Sequence, residues 1–284
     1  MNQIKKWFSI IRPKTLFASA VPVLIAILLA FKLENISLLN SILVLLCGVS
    51  LQVLSNLIND YYDFKKGLDK QGRLGPKRAL AEGTVTEIQM RNAIIINIVF
   101  SVLTGLYLVI VGGMPILLIG VLSIFFAWLY TATSHSLSYL GIADIFAFTF
   151  YGPIATFGTF YILTHSFSST VIYAGCVCGL VSTMILCTNN LRDISVDKQV
   201  GKKTIPVRFG KKIGELEYLL CVLLTSVFAY LAFSLSVPML IGAFALLVYG
   251  KVKKAEGVQY NKCLFLSSLL NVVYFLLVLI HLLF

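Results

Sequence analysis

Two short segments of the chain place carboxylates and amides at the ends of long apolar runs. These oxygen-bearing residues are Asn59, Asp60 and Asp63 in the first segment, and Asn189, Asp193 and Asp197 in the second. Spacings of three and four residues put such side chains on one face of a helix. Magnesium prefers a few carboxylate or amide oxygens together with water and substrate phosphates. We therefore predict two helix ends that face each other and hold metal ions, with a diphosphate bridging the ions.

Basic residues follow both segments closely, and they suit a phosphate partner. Arginine presents two parallel hydrogen bonds to phosphate oxygens, and lysine adds a compact positive charge. The residues predicted to bind the diphosphate are Lys66, Arg73, Lys77, Arg78, Arg192, Lys202, Lys203 and Arg208. A single Asn–Asp pair beside a loop is also typical of a helix cap or an Asx turn, or of an exposed ion pair. The repetition of the pattern in two segments favours the metal–diphosphate site.

The composition indicates which elements must position these residues. Hydrophobic residues make up 58% of the chain and charged residues 12%, whereas soluble domains average about 45–50% and about 25%. Apolar stretches of roughly 17–25 residues match the length of a membrane-crossing helix. We predict an all-α, polytopic membrane protein with one membrane-embedded domain over residues 1–284. The nine predicted spans cover residues 16–31, 38–58, 93–111, 115–130, 142–163, 171–188, 218–233, 238–249 and 264–284.

The distribution of Lys and Arg predicts the orientation in the membrane. With nine spans, 22 of the 23 Lys and Arg residues fall on one side, and only Lys32 falls on the other. Positive charge marks the cytoplasmic side, so we expect an inner-membrane protein with a cytoplasmic N-terminus and an external C-terminus. Residues 1–14 are predicted to lie at the membrane interface. Residues 59–92 and 189–215 are predicted to form cytoplasmic substrate-binding loops.

Two other features of the composition have simple explanations. The net charge of +11 is accounted for by lysines that face anionic lipid, so the lipid bilayer is an expected partner and a nucleic acid is not. The six cysteines fall mostly inside apolar spans. In such positions they are expected to pack as small hydrophobes rather than to form disulfides or a metal cluster.

The two segments carry a family resemblance that extends over nearly the whole chain. Residues 59–69, followed by 73–78, resemble the first aspartate-rich motif of the UbiA superfamily of intramembrane prenyltransferases. Residues 189–197, followed by 201–210, resemble the second motif. The position of Asp69 after a Lys-Gly pair is similar to the subgroup of 1,4-dihydroxy-2-naphthoate polyprenyltransferases of menaquinone synthesis.

This resemblance implies a fold, an activity and a set of ligands. The implied UbiA-type prenyltransferase fold has nine transmembrane helices around a central cavity. The implied reaction moves a polyprenyl group from a polyprenyl diphosphate to 1,4-dihydroxy-2-naphthoate, with loss of CO₂ and pyrophosphate, and gives demethylmenaquinol. Two Mg²⁺ ions are the implied cofactors. The oligomeric state is left open.

The resemblance also assigns residues to roles. Asp63, Asp193 and Asp197 are the expected catalytic residues, with either Asp63 or Asp193 assisting deprotonation of the acceptor. The expected metal ligands are Asn59, Asp60, Asp63, Asp69, Asn189, Asp193 and Asp197. The expected acceptor and cation pocket consists of Tyr62, Tyr130, His135 and Tyr139. Tyr62 is equally typical of an aromatic anchor at the membrane interface, and His135 stands where relatives more often have Gly, Pro and a basic residue.

Two other functions are compatible with parts of this pattern. One is a UbiA-type prenyltransferase with another aromatic acceptor, such as 4-hydroxybenzoate. The other is an ion-coupled transporter, which would more often place its ionisable groups near the membrane midplane, in broken helices related by a repeat. The acids of this chain instead follow the apolar runs and lie beside basic residues, which favours the transferase.

Overall fold

The computed structural model describes residues 3–65, 67, 78–129 and 137–284. Within these ranges the chain forms helices and no strand, which confirms the predicted all-α class. The α-helices are α1 (Gln3–Ile11), α2 (Pro13–Leu33), α3 (Leu38–Lys65), α4 (Glu87–Leu129), α5 (Leu137–Leu140), α6 (Ala143–Phe150), α7 (Pro153–Thr164), α8 (Ser169–Arg192), α9 (Ile194–Gln199), α10 (Ile205–Phe209), α11 (Lys211–Phe233), α12 (Leu240–Lys254) and α13 (Tyr260–Leu283). Two short 3₁₀ turns, Val237–Met239 and Gly257–Gln259, precede α12 and α13.

Seven helical segments in the described part of the chain are long and apolar enough to cross a membrane. They are Thr15–Leu33, Leu38–Lys65, Glu87–Leu129, Ala143–Thr164, Ser169–Arg192, Lys211–Phe233 and Gly257–Leu283. Six of the nine predicted spans each coincide with one of these segments, and two more lie together in the long segment Glu87–Leu129.

The number of crossings depends on α4 and α12. At about 1.5 Å per residue, the 43 residues of α4 are about twice as long as the hydrocarbon core of about 30 Å. The helix breaks at Gly113, which has φ 66° and ψ −154°, two residues before Pro115. Helix α12 has 15 residues, or about 23 Å at the same rise. The count of nine therefore stays a prediction.

Helix α8 lies at the centre of the bundle and carries the second acidic segment at its end. It packs against α6, α7, α11 and α13, and Val177, Val181 and Met184 on it are completely buried. Helix α3, which ends in the first acidic segment, packs against α2 and α4. The two segments therefore come from different parts of the bundle.

The junction between α6 and α7 packs directly against the backbone of α8, because the contact positions on both sides are glycines without side chains. A Cβ at Gly152 would lie 2.8 Å from the Cα of Gly179, and a Cβ at Gly179 would lie 2.2 Å from the carbonyl oxygen of Phe148. Small residues permit this kind of close helix contact in membrane proteins. The junction brings α6 and its Asp144 beside α8.

We expect Gly179→Ala to lower the free energy of unfolding by about 1–3 kcal/mol, the usual cost of overpacking. The measurement is the thermal midpoint of the purified protein in detergent. Gly105→Ala in α4 is the matched control, because among the described residues nothing lies within 4 Å of a Cβ at Gly105. Equal midpoints for Gly179→Ala and the wild type would contradict the close approach.

Candidate active site

A cavity of about 960 Å³ opens among α2, α3, α4, α6, α7, α8 and α13. Its deeper walls are apolar and include Val44, Leu108 and Ile162. At the ends of α3 and α8 the lining becomes charged and polar. The predicted site residues that line it are Asn59, Asp60, Asp63, Arg78, Asn189, Arg192, Asp193, Asp197 and Lys202.

The acids of the first segment are buried and paired with two arginines. Asp60 and Asp63 are 2% and 6% exposed. Arg78 places Nη2 2.5 Å from Asp63 Oδ2 and Nε 3.6 Å from Asp60 Oδ1. Arg12 forms a further ion pair with Asp60. Pairing is what permits buried carboxylates to remain charged, so these arginines hold the first segment in place.

The second segment is organised by Arg192, whose side chain is 4% exposed. Its Nε and Nη2 donate to the two carboxylate oxygens of Asp193, both at 2.7 Å. Nη2 also donates to Asn189 Oδ1 at 2.6 Å, and Nη1 donates to Asn261 Oδ1 at 2.9 Å. One guanidinium group therefore ties the end of α8 to the start of α13. Asn261 was not predicted from the sequence.

Asp197 also lines the charged end of the cavity. Its carboxylate lies 3.1 Å from Lys202 Nζ, and the Lys202 backbone N–H donates to the Asp197 carbonyl at 2.9 Å. Burial raises the pKa of Asp197; Lys202 lowers it, and the charges of Asp193 and Asp63 raise it further. Asp63 of the first segment and Asp197 of the second line the same cavity, so the two acidic segments lie close together.

Two stretches of chain at the edge of the cavity, around Tyr139 and around Lys203, are joined by hydrogen bonds. The Lys203 backbone N–H donates to the Tyr139 carbonyl at 3.1 Å, and Arg208 Nη2 donates to the Leu140 carbonyl at 2.7 Å. A Cβ at Gly141, where φ is 74°, would lie 1.9 Å from the Lys203 carbonyl oxygen. Burial raises the pKa of Tyr139, with smaller contributions from neighbouring charges. In this arrangement Lys203 and Arg208 hold the segment around Tyr139.

The remaining predicted site residues have other locations. Tyr62 lies on α3 and meets Tyr61 edge to face, with ring centroids 5.4 Å apart. Tyr62, Tyr139, Lys203 and Arg208 are not among the described residues that line the cavity. The predicted residues Lys66, Asp69, Arg73, Lys77, Tyr130 and His135 lie outside the described ranges. The catalytic and binding roles of all these residues stay predictions.

Several cavity residues were missed by sequence reasoning. Arg12 precedes α2 and was not assigned to the site, although it is paired with an acid of the first segment. Asn56 Nδ2 donates to the Ile11 carbonyl at 2.8 Å and to Thr15 Oγ1 at 3.0 Å. Gln52 Nε2 donates to Asn56 Oδ1 at 3.3 Å. The signal for Gln52 and Asn56 was present, because they continue the three- and four-residue spacing of the first segment along α3.

The donor set at the charged end suits a hard divalent cation. It consists of carboxylate and amide oxygens, which are the preferred ligands of Mg²⁺. Within the described part of the chain, Asp63 Oδ1 is buried without a hydrogen-bond partner. An unsatisfied buried carboxylate oxygen is costly unless a cation or a donor occupies the space beside it. The residues present therefore fit a metal ion of this class.

The fold and the site together define a class of protein. An apolar helical bundle with a charged end to its cavity is suited to an amphipathic substrate that has an anionic headgroup and a long apolar tail. Residues 19–282 match the UbiA prenyltransferase family, and the chain belongs to this family. The predicted family is confirmed, and its membership together with the apolar helices makes the chain a multi-pass membrane protein.

Two relatives of known name are similar over most of their length. The 1,4-dihydroxy-2-naphthoate octaprenyltransferase of Escherichia coli is 35% identical over 241 residues, which is 83% of this chain and 78% of the relative. The protein of the same name from Haemophilus influenzae is 33% identical over 244 residues, covering 83% and 79%.

A solved structure of a UbiA homolog from Archaeoglobus fulgidus, bound to DMAPP and Mg²⁺, is similar with a TM-score of 0.67. The match covers 98% of this chain and 99% of the homolog at 17% sequence identity. This likeness confirms the predicted UbiA-type fold.

We expect Arg192→Lys to destabilise the end of α8 by about 1–3 kcal/mol. An ammonium group does not reproduce the planar guanidinium contacts, and it leaves buried acceptors unsatisfied. The readout is the thermal midpoint in detergent. Lys198→Ala, at an exposed position of α9, is the control and is expected to melt like the wild type. An unchanged midpoint for Arg192→Lys would show that this side chain does not stabilise the end of α8.

Proposed function

We propose that this protein transfers a polyprenyl group from a polyprenyl diphosphate to 1,4-dihydroxy-2-naphthoate. The products are demethylmenaquinol, CO₂ and pyrophosphate, so the reaction belongs to menaquinone biosynthesis. The observation that carries the proposal is the meeting of both acidic segments at the charged end of one apolar-walled cavity. Membership of the UbiA family and the name shared by the two bacterial relatives support the choice of donor and acceptor.

The cavity suits the two halves of the prenyl donor. Its apolar walls would bury the prenyl chain, and its volume of about 960 Å³ is in the range of small-molecule sites. Arg12, Arg78 and Arg192 each lie beside a carboxylate of the acidic segments. They are therefore placed to donate to phosphate oxygens of a headgroup bound between those segments. Lys202 adds a fourth positive charge beside Asp197.

We propose that the acidic segments hold two Mg²⁺ ions. The residues that would hold them are Asn59, Asp60, Asp63, Asn189, Asp193 and Asp197, with Asp69 as a further ligand predicted from the sequence. When bound, such ions neutralise the diphosphate and act as Lewis acids on its oxygens. The guanidinium groups beside the acids hold the carboxylates in position and stabilise the negative charge that develops on the departing pyrophosphate.

The allylic carbon needs a dry, electron-rich environment once its bond to oxygen breaks. Phe126, Phe146 and Phe150 line the cavity, and the ring centroid of Phe126 lies 4.5 Å from that of Phe146 and 5.2 Å from that of Phe150. Aromatic faces attract a cation, and the apolar wall excludes the water that would quench it. Tyr151 lines the same cavity.

The acceptor completes the reaction at its ring carbon. A carbon–carbon bond forms at the carbon that carries the carboxylate, the carbon–oxygen bond of the prenyl diphosphate breaks, and loss of CO₂ restores the aromatic ring. We assign assistance of acceptor deprotonation to Asp63 or Asp193, which both line the cavity. Tyr139, with Tyr62, Tyr130 and His135, remains our proposed acceptor pocket.

We also propose that the charged end of the cavity faces the cytoplasm, so that the N-terminus is cytoplasmic and the C-terminus external. Basic residues that precede the first predicted span and follow the second meet at this end of the cavity. Arg12 and Arg78 share Asp60, and Lys211 Nζ donates to the Ala255 carbonyl at 3.4 Å. Lys32 instead lies near His281 in a small pocket away from these regions. Positive charge on one side supports a single inner-membrane domain with cytoplasmic loops at 59–92 and 189–215.

The test of the reaction is an assay of the purified protein with labelled polyprenyl diphosphate and candidate acceptors, with and without Mg²⁺. We expect prenylated dihydroxynaphthoate and released CO₂ only when Mg²⁺ is present. Transfer to 4-hydroxybenzoate alone would reject the acceptor, and activity after complete removal of divalent cations would reject the metal.

We expect Asp63→Asn and Asp193→Asn each to reduce turnover by at least about 100-fold, because each removes a charge from the diphosphate end of the cavity. Turnover is measured with saturating substrates, and folding is checked by thermal midpoint and monodispersity. Glu34→Gln is the matched control, since Glu34 is exposed between α2 and α3 and lies outside both predicted substrate-binding loops. Full activity in both Asn variants would refute the metal–diphosphate site.

A further inference from the structure

Three donor side chains outside the metal–diphosphate site converge on one point of the bundle. They are Asp144 of α6, Cys187 of α8 and Glu217 of α11. One carboxylate oxygen of each acid and the sulfur of Cys187 all lie within 4.8 Å of one another. Because each residue belongs to a different helix, their convergence is a property of the tertiary structure and not of a sequence motif.

One oxygen of each acid in this cluster lacks the partner that a buried carboxylate oxygen needs. Asp144 is 8% exposed. Its Oδ1, like Oε2 of Glu217, is buried and has no hydrogen-bond partner among the described residues. Neither acid forms an ion pair within the same ranges. Two carboxylates so placed repel each other unless a cation or a shared proton lies between them.

We propose that Asp144, Cys187 and Glu217 bind a divalent transition-metal ion of the Zn²⁺ class. Thiolate and carboxylate are both ligands of zinc, whereas a thiolate is a poor ligand for Mg²⁺. Three protein ligands leave the fourth position of a tetrahedral ion open to water or another ligand. For Cys187 this role replaces the simple hydrophobic packing that the sequence led us to expect.

The proposed site is distinct from the diphosphate site, although the two lie on the same helix. Cys187 and Asn189 are two residues apart on α8, which separates them by about 200° around the helix axis. Asn189 lines the cavity, while Cys187 is 1% exposed and lies beside Glu217 of α11. The proposed metal site is therefore independent of the proposed prenyl transfer.

A metal ion has a path to the Asp144–Cys187–Glu217 cluster, and neighbouring contacts hold the cluster in place. Asp144 lines the main cavity, so a cation can reach the cluster from there. Thr183 Oγ1 donates to the Asp144 carbonyl at 3.5 Å, which ties α6 to α8. A bound ion would cross-link α6, α8 and α11.

The test uses the full-length protein in detergent, stripped of metal and then supplied with excess Mg²⁺ to fill oxygen-only sites. Cd²⁺ is the probe, because cadmium bound to a thiolate gives an ultraviolet charge-transfer band. We expect one equivalent of Cd²⁺ to produce the band and one equivalent of Zn²⁺ to displace it. No band, or a band that persists in Cys187→Ser, would overturn the proposal in favour of a shared proton.

Matched variants separate binding from folding. Cys178→Ser alters another buried cysteine of α8 and is expected to keep the band. Asp144→Asn and Glu217→Gln are expected to weaken Cd²⁺ binding by about 10-fold or more. Losing a metal ligand costs at least as much affinity as losing a residue that hydrogen-bonds to a ligand, which already costs about 10-fold. Unchanged affinity in both would refute their role as ligands. X-ray absorption of the Zn²⁺-loaded wild type needs no variant, and it must show one sulfur neighbour at about 2.3 Å.

Discussion

The architecture depends on the neutralisation of buried carboxylates at one end of an apolar bundle. Asp60 and Asp63 are almost completely buried, and a buried charge is tolerated only when it is paired. Arg12 and Arg78 provide that pairing for the first segment, and Arg192 provides it for Asp193 in the second. The first set of contacts links the start of α2 to the end of α3, and Arg192 links the end of α8, through Asn261, to the start of α13. These polar contacts hold the helix ends together at the charged end of the bundle.

The charged end of the cavity suits an amphipathic donor only because the other walls of the cavity are apolar. Phe126, Phe146 and Phe150 form an aromatic wall on α4 and α6. The backbone contact between the α6–α7 junction and α8 holds that wall against the central helix, because Gly152 and Gly179 leave no room for side chains. An amphipathic donor finds both environments in one cavity, with its headgroup among cations and its tail among hydrophobic side chains.

Sequence reasoning identified the acids of both segments, because their spacing on a helix is a local property. Residues whose position depends on contacts between distant segments cannot be assigned from local spacing. The Lys203 backbone N–H and the Arg208 side chain contact the stretch around Tyr139 and Leu140, which no local pattern indicates, and their binding of diphosphate stays a prediction. Arg12 was not assigned to the site, because its partner Asp60 is 48 positions away and no periodic pattern links the two.

The sequence by itself determined the all-α class, the membrane setting, the family and the two acidic segments. Composition, helical periodicity and motif spacing are all read over short stretches of chain. Only the tertiary structure decided which charged groups pair, which side chains line the cavity, and that Asp144, Cys187 and Glu217 meet. The physical reason is that local spacing specifies the face of a helix, while pairing and burial depend on which helices pack together. Which helices pack together is decided by the whole bundle, through apolar packing and the pairing of buried charges.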